Sequence, residues 1–268
     1  MLSRVCLLSA VLLAAAVSAR AAAPDHANLA YLRDAAHETV ALTSSPLGWE
    51  RPEWLQAGGV AGGAVVLYAA ADIPLRRAAL RNQSRVADGF ADVGRGFGNG
   101  LYIAPAMGAF YLAGEAREDR RLRRASLDAL ESLALSGLFV TVLKTTTGRE
   151  RPEAGRGRGS WTGPSLSNSH NSFPSGHSSD AFSVATIFAT EYADVPGVVP
   201  GAYALAALTG ASRVYHDQHW ASDVFVGGAL GYFTAKAIAR AHADKDGRWT
   251  FRAYPLGGGA GAFVARRF

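Results

Sequence analysis

Cysteine is almost missing from this 268-residue chain: there is one, Cys6, inside an apolar stretch at the N-terminus. Beyond that stretch no thiol exists, so neither a disulfide framework nor a thiolate metal site can form. Charge is scarce as well, at 18% of residues against 49% hydrophobic, which excludes disorder as the general state. The 27 basic residues exceed the 22 acidic ones by five, and removing residues 1–21, which hold Arg4 and Arg20, leaves an excess of three. That balance carries no nucleic-acid footprint. Thirty glycines and eleven prolines follow no G-X-Y period, and no segment repeats at a period of roughly 20 to 50 residues, so collagen and solenoids are excluded. No H-E-x-x-H pair is present. Gly96-Phe97-Gly98-Asn99-Gly100 has no strand before it and no G-K-[ST] after it, so close packing at a helix start is expected there rather than a nucleotide loop.

What is present begins with Arg4, an apolar run from Val5 to Val17 and the small-residue site Ala19-Arg20-Ala21. This is the pattern of a secretory signal peptide over residues 1–21, and an exported, periplasmic or cell-envelope protein is expected. Residues 22–49 read as an N-terminal extension. Apolar Ala/Gly/Leu-rich blocks then predict helices over Trp54–Ala71, Leu101–Leu112, Leu122–Thr145, His177–Tyr192, Pro200–Val214 and Ala221–Ala243. The fold class is all-α: a single helical-bundle domain of about six core helices over residues 50–245, with its site at the helix ends. Residues 246–268 alternate aromatic and polar positions around Gly257-Gly258-Gly259 and read as a short C-terminal β-hairpin. Gly148–Phe173 holds five glycines and two prolines and is expected to be a long loop with few internal contacts.

The uncharged blocks Gly96–Gly114 and Val195–Ser212 are long enough to span a membrane, but Ser132–Leu143 and Val224–Ala235 have 12 residues each between charges, a length that favours buried core helices. Arginines crowd consecutive connectors alike (Arg76, Arg77, Arg81 and Arg85, then Arg117, Arg120, Arg121, Arg123 and Arg124), so no side is marked as cytoplasmic. A soluble or peripheral exported protein is the expectation, with an integral membrane protein as the alternative.

Reactive groups concentrate in three segments: Lys144-Thr145-Thr146-Thr147-Gly148-Arg149-Glu150-Arg151-Pro152, Pro174-Ser175-Gly176-His177, and Ser212-Arg213 followed by His219 and Asp223. A phosphoryl group carries negative charge and several acceptor oxygens, so its site needs fixed cations and backbone donors. Lys144, Arg151 and Arg213 have that chemistry, the arginines as two-pronged forks and Lys144 as a point charge at a helix end. Ser175 and Gly176 stand where a new helix starts, and their N–H groups suit an anion, with the serine hydroxyl as a further donor. His219 and Asp223, spaced i, i+4, share a helix face, so the carboxylate is expected to orient one ring nitrogen and free the other. Arg149, Arg156 and Arg158 read as solvated, Asp180 and Asp217 as solvent-facing or capping, and Trp220 either as packing beside the site or as filling the core.

The three segments, K-x6-R-P, P-S-G-H and S-R-x5-H-x3-D, resemble the type 2 phosphatidic acid phosphatase superfamily, which includes bacterial non-specific acid phosphatases and vanadium haloperoxidases; the likeness runs from about Leu101 to Ala243. It implies a metal-independent phosphatase acting on phosphomonoesters or diphosphates. In it the histidine matching His219 attacks phosphorus to give a phosphohistidine, and the aspartate matching Asp223 holds its tautomer. His177 then serves as general acid and base.

No cofactor is implied, and His170 with His216 makes a poor zinc site without cysteine or H-E-x-x-H. Ser175 as nucleophile lacks a G-x-S-x-G elbow. The substrate is a phosphate ester, either soluble, for a broad acid phosphatase, or lipid, for an integral membrane enzyme acting on lipid phosphates or polyprenyl diphosphates. Vanadate on His219, as in a haloperoxidase, and a non-enzymatic envelope protein suggested by the Phe268 ending are the other readings.

Overall fold

The computed structural model describes residues 25–167 and 170–245, and the backbone of 249–256 and 259–266. The expected signal peptide lies outside the described residues. Nine α-helices are found among them: α1 (Leu29–Ser44), α2 (Arg51–Val66), α3 (Asp72–Arg81), α4 (Arg85–Phe97), α5 (Gly100–Ala116), α6 (Arg120–Thr147), α7 (Gly176–Glu191), α8 (Val198–Tyr215) and α9 (Ala221–Lys245). The chain is all-α in its packed part. Strands Trp249–Leu256 and Gly259–Arg266 pair antiparallel, Trp249 opposite Arg266.

The six periodic helices appear within a few residues of their expected limits, apart from the first. Trp54–Ala71 does not stop at Ala71: a single π-turn, Leu67–Ala71, carries α2 into α3 without a break. Helices α1 and α4 have no counterpart in the sequence expectation. Asn28 caps α1 and Ser84 caps α4, each through a side-chain oxygen that accepts from the third backbone N–H, which satisfies one of the orphan donors of a helix start.

Helices α6, α7, α8 and α9 form the centre, with Ile103, Met107, Ala125, Ala129, Ile187, Ala235 and Ala239 in its main apolar cluster. Small residues let α7 and α9 nearly touch. A Cβ on Gly227 would lie 2.2 Å from the Ser175 carbonyl oxygen, and one on Gly231 would lie 2.1 Å from that of Ser179, far inside any real contact. This approach holds the start of α7 against the start of α9. The expected close packing of the Gly96–Gly100 run is also found: a Cβ on Gly98 would lie 2.2 Å from the Thr209 methyl and 2.9 Å from the His177 carbonyl oxygen.

The outer surface differs from that of the soluble or peripheral protein expected. Arg51–Arg81 forms one 31-residue helix whose 18-residue apolar window is only 6% buried, and Arg120–Thr147 is a second helix long and apolar enough to cross a bilayer. Counting residues between charges misses Arg120–Thr147, because a helix tolerates a charge near the end of its apolar window, whereas Trp54–Ala71 is itself an uncharged run of 18 residues. Val86, Phe90, Val93 and Phe97 recur at i, i+4, i+7 and i+11 on α4, and all four face outward. Leu101, Tyr102, Phe110 and Leu112 on α5 are exposed as well. Exposed apolar side chains in such number suit an apolar surrounding.

Candidate active site

Four helix ends meet at one place: the C-terminus of α6, the N-terminus of α7, the C-terminus of α8 and the N-terminus of α9. Helix α6 ends on Gly148 in the left-handed region (φ 59°), where a Cβ would lie 2.0 Å from the Gly163 carbonyl oxygen. Only glycine fits there. The chain reverses at that point, so Lys144 in the last turn and Arg151 beyond it serve the same site.

The segment after Gly148 is not the structureless loop expected. Glu150 N–H donates to the Ser160 carbonyl at 3.0 Å, Thr162 N–H to Gly148 at 3.0 Å and Ser172 N–H to Arg149 at 3.0 Å. Trp161 packs edge-on to Phe173, ring centroids 5.6 Å apart.

His219 is buried, 3% exposed. Its Nδ1 lies 2.7 Å from the Ser172 carbonyl oxygen, which accepts its proton and leaves Nε2 with the lone pair. The Asp223 carboxylate is 3.9 Å from Nδ1, too far for a hydrogen bond. The expected direct orientation of His219 by Asp223 is therefore corrected. The i, i+4 rule presumes that both residues lie in the helix, whereas His219 precedes α9. Asp223 instead accepts from the Ser172 hydroxyl at 2.6 Å and the Trp220 N–H at 2.9 Å, and so fixes the residue that holds the ring.

Arg149 is the largest departure from the sequence reading. It is 1% exposed, not solvated. Its guanidinium donates to Asp223, to Asp72 at 2.7 Å and to the Ser222 hydroxyl at 2.8 Å, and lies 4.9 Å from the Trp161 ring centroid and 5.4 Å from that of Trp220. Asp72, on α3, also accepts from Ser222 N–H at 2.9 Å. Trp220 is buried in the core and donates to the Glu150 carbonyl at 3.1 Å. Arg158 is half-buried rather than solvated and donates to the Tyr68 and Ala69 carbonyls of the π-turn at 2.7 and 2.8 Å. Arg156 is the exposed one of the three and pairs with Glu150 at 3.1 Å.

Lys144 donates to the Asn171 carbonyl. Arg151 donates to the Asn171 side-chain oxygen at 3.1 and 2.9 Å and to Gln218. Arg213 differs. It is 6% exposed, and its Nε and Nη1 have no hydrogen-bond partner among the described residues. A buried guanidinium left with free donors needs an anion, because such a group is costly to bury unpaired.

The positive charges of Lys144 and Arg213 act directly on His219, and those of Lys144, Arg151 and Arg213 on His177. Burial, with those charges, pulls the His219 ring down to about 4 and the His177 ring down to about 3. Both imidazoles are neutral at pH 7 in the free protein. A phosphate dianion would offset the same charges and favour a proton on His177.

At the start of α7, Ser175 is engaged more fully than expected. Its N–H donates to the Asp223 carbonyl at 3.0 Å, and its hydroxyl accepts from Ser178 N–H and Ser178 Oγ at 3.3 and 2.9 Å. It caps the helix and positions the site. The first-turn N–H groups of Gly176 and His177 have no partner among the described residues, which leaves them for an anion. Gly176 is not required sterically, since a Cβ there would meet only Val140, at 3.7 Å.

Asp217 is not simply solvent-facing: its carboxylate accepts from Arg76 at 2.6 and 2.7 Å. Asp180 is half-buried on α7, with Lys144 acting on its charge. His170 lies 3.0 Å from Glu150, and His216 lies 2.8 Å from the Ser212 carbonyl and 3.5 Å from Asp92, so the two histidines serve different partners. A cluster with metal-binding chemistry does occur, but elsewhere: Glu38, Glu131 and His242.

Residues 125–246 match the family model of the PAP2 superfamily. That region is similar to the PAP2 superfamily. It contains every residue of the three motifs, while α1 to α5 and the terminal strands lie outside it. A lipid A 1-phosphatase from Porphyromonas gingivalis is 39% identical over 105 residues, which are 39% of this chain and 20% of that relative. This chain therefore spans about a fifth of the relative's length. Two solved structures share the fold. One is LpxE of Aquifex aeolicus, with a TM-score of 0.51 and 22% identity over 64% of this chain and 96% of that one. The other is a transmembrane PAP2-type phosphatidylglycerolphosphate phosphatase of Bacillus subtilis, with a TM-score of 0.55 and 23% identity over 69% and 95%.

Proposed function

We propose that this protein is a membrane-embedded lipid phosphate phosphatase that works through a phosphohistidine on His219. The observation that carries the reading is the pairing of a buried neutral His219, with Nε2 free, and a buried Arg213, with unpartnered donors. In this mechanism Lys144, Arg151, Arg213 and the first-turn N–H groups of α7 hold the phosphoryl oxygens. Nε2 of His219 attacks phosphorus, the ester oxygen leaves, and His177 gives it a proton. His177 then takes a proton from water, whose oxygen attacks the phosphohistidine, releasing inorganic phosphate and freeing His219.

The lipid substrate displaces the soluble ester as the preferred reading. The outward apolar faces of α2, α4 and α5 suit a bilayer, and the relatives named above include a lipid A 1-phosphatase and a transmembrane enzyme. A cavity of about 730 Å³ lined by Phe97, Tyr102, Phe110, Ala181, Val184 and Phe188 opens one turn along α7 from His177, a suitable place for an acyl chain. A panel of lipid monophosphates, lipid diphosphates and water-soluble phosphate esters, assayed in mixed micelles with excess chelator, tests the reading. Lipid phosphates should exceed soluble esters in kcat/KM by at least about tenfold, a gap of about 1.4 kcal/mol. Equal or better turnover of soluble esters would return the protein to the soluble-substrate class.

A further inference from the structure

At the opposite end of the bundle from His219, the N-terminal helix α1 meets α6 and α9 over a buried polar cluster. Glu131 and Lys144 are thirteen residues apart on α6, about 20 Å at 1.5 Å per residue, so this cluster is separate from the phosphate site. Glu38 from α1, Glu131 from α6 and His242 from α9 each offer one ligand atom, and these atoms lie within 4.8 Å of one another. All three side chains are buried.

The internal distances are compatible with a first and second coordination sphere. His242 Nε2 stands 3.0 Å from a Glu38 oxygen and 3.7 Å from a Glu131 oxygen. Two ligands about 2.1 Å from one ion and about 90–110° apart would be separated by about 3.0–3.4 Å. On its other side the ring donates Nδ1–H to Asp128 at 2.7 Å. That bond leaves Nε2 as the ring atom facing the two glutamates, where an ion would take the place of the Nε2 proton and complete a carboxylate–histidine–metal arrangement. The Tyr31 hydroxyl donates to the same Glu131 carboxylate at 3.1 Å. The other Glu131 oxygen, Oε1, is buried and has no hydrogen-bond partner among the described residues. Three carboxylates converge on one imidazole, and the Arg124 guanidinium stands 3.8 Å from Asp128.

We infer that Glu38, Glu131 and His242 bind one structural divalent transition-metal ion, of the Zn²⁺ class, that fastens α1 to α6 and α9. The mixed imidazole and carboxylate donors suit Zn²⁺ and, less tightly, Mn²⁺. The closed surroundings suit a structural ion. It takes no part in phosphoryl transfer, so the inference stands or falls separately from the function proposed above.

The full chain in detergent, stripped by chelator and dialysed, should take up one Zn²⁺ per chain by elemental analysis, and its thermal midpoint should rise on Zn²⁺ addition. Glu131→Gln and His242→Gln should abolish that uptake. Asp128→Asn, which keeps all three ligands, should weaken it by about 10- to 100-fold while leaving turnover at low temperature unchanged. Should a ligand variant fail to fold, the parent protein with and without Zn²⁺, together with Asp128→Asn, decides the matter. Absence of saturable Zn²⁺ uptake by the parent chain, or uptake unchanged in all three variants, would overturn the inference and leave a proton on His242 as the balancing charge.

Discussion

The Nδ1–H of His219 is held by the backbone carbonyl of Ser172 at 2.7 Å. The ring is thus oriented by main chain, and the Ser172 side chain has a different task, anchoring that main chain to Asp223 at 2.6 Å. Ser172→Ala keeps the carbonyl and removes the anchor. We expect it to retain turnover within about tenfold of the parent and to lose about 1.5–3 kcal/mol of stability, the usual value of a hydrogen bond to a charged group. Steady-state kinetics alongside a denaturation curve checks both.

Arg149 ties two buried carboxylates, Asp72 and Asp223, to one cation. Arg149→Met leaves both acids unpaired in the interior and should cost about 3–5 kcal/mol. The thermal midpoint should fall by many degrees, and activity at low temperature should fall with it. A midpoint within a degree or two of the parent's would mean that the network does not support the fold.

His177→Ala should lower kcat by roughly 10²–10⁴ on an alkyl phosphate, the span of general acid–base assistance. On an aryl phosphate, whose leaving oxygen needs no proton, the loss should be smaller. Equal losses on the two substrates would place His177 in phosphate binding instead.

The pH dependence follows from the His219 ring, lowered to about 4 by burial with help from Lys144 and Arg213. The neutral ring is the nucleophile, so kcat/KM should be intact above that value and fall as the pH drops through it. Removing a neighbouring cation favours the protonated ring, so Arg213→Gln should move this acid limb to higher pH. A pH profile of parent and variant, each normalised to its own maximum, reads the shift.

The three motifs were legible in the sequence because their charges are few, their spacing is fixed, and all three serve one ligand. The bundle was legible because its central helices keep long apolar runs between charged connectors. Helix α4 was not: Arg85, Asp88, Asp92 and Arg95 made it resemble another charged connector, and its apolar stripe faces outward. The roles of Arg149 and Asp72 were hidden because the two residues are 77 positions apart and neither spacing nor composition predicts their pairing. The distance between His219 and Asp223 was misjudged because His219 precedes the helix instead of lying in it. The glycines at 227 and 231 were visible only as small residues, until the Ser175 and Ser179 carbonyls filled the space beside them.

The most direct test of the account is to quench the working enzyme with base during turnover of a phosphate ester and map the phosphorylated peptide by mass spectrometry. The account predicts a phosphoryl group on the peptide bearing His219, lost in His219→Ala and accumulating in His177→Ala with an aryl phosphate. A phosphoryl group on Ser175 or another residue, or undiminished turnover by His219→Ala, would contradict it.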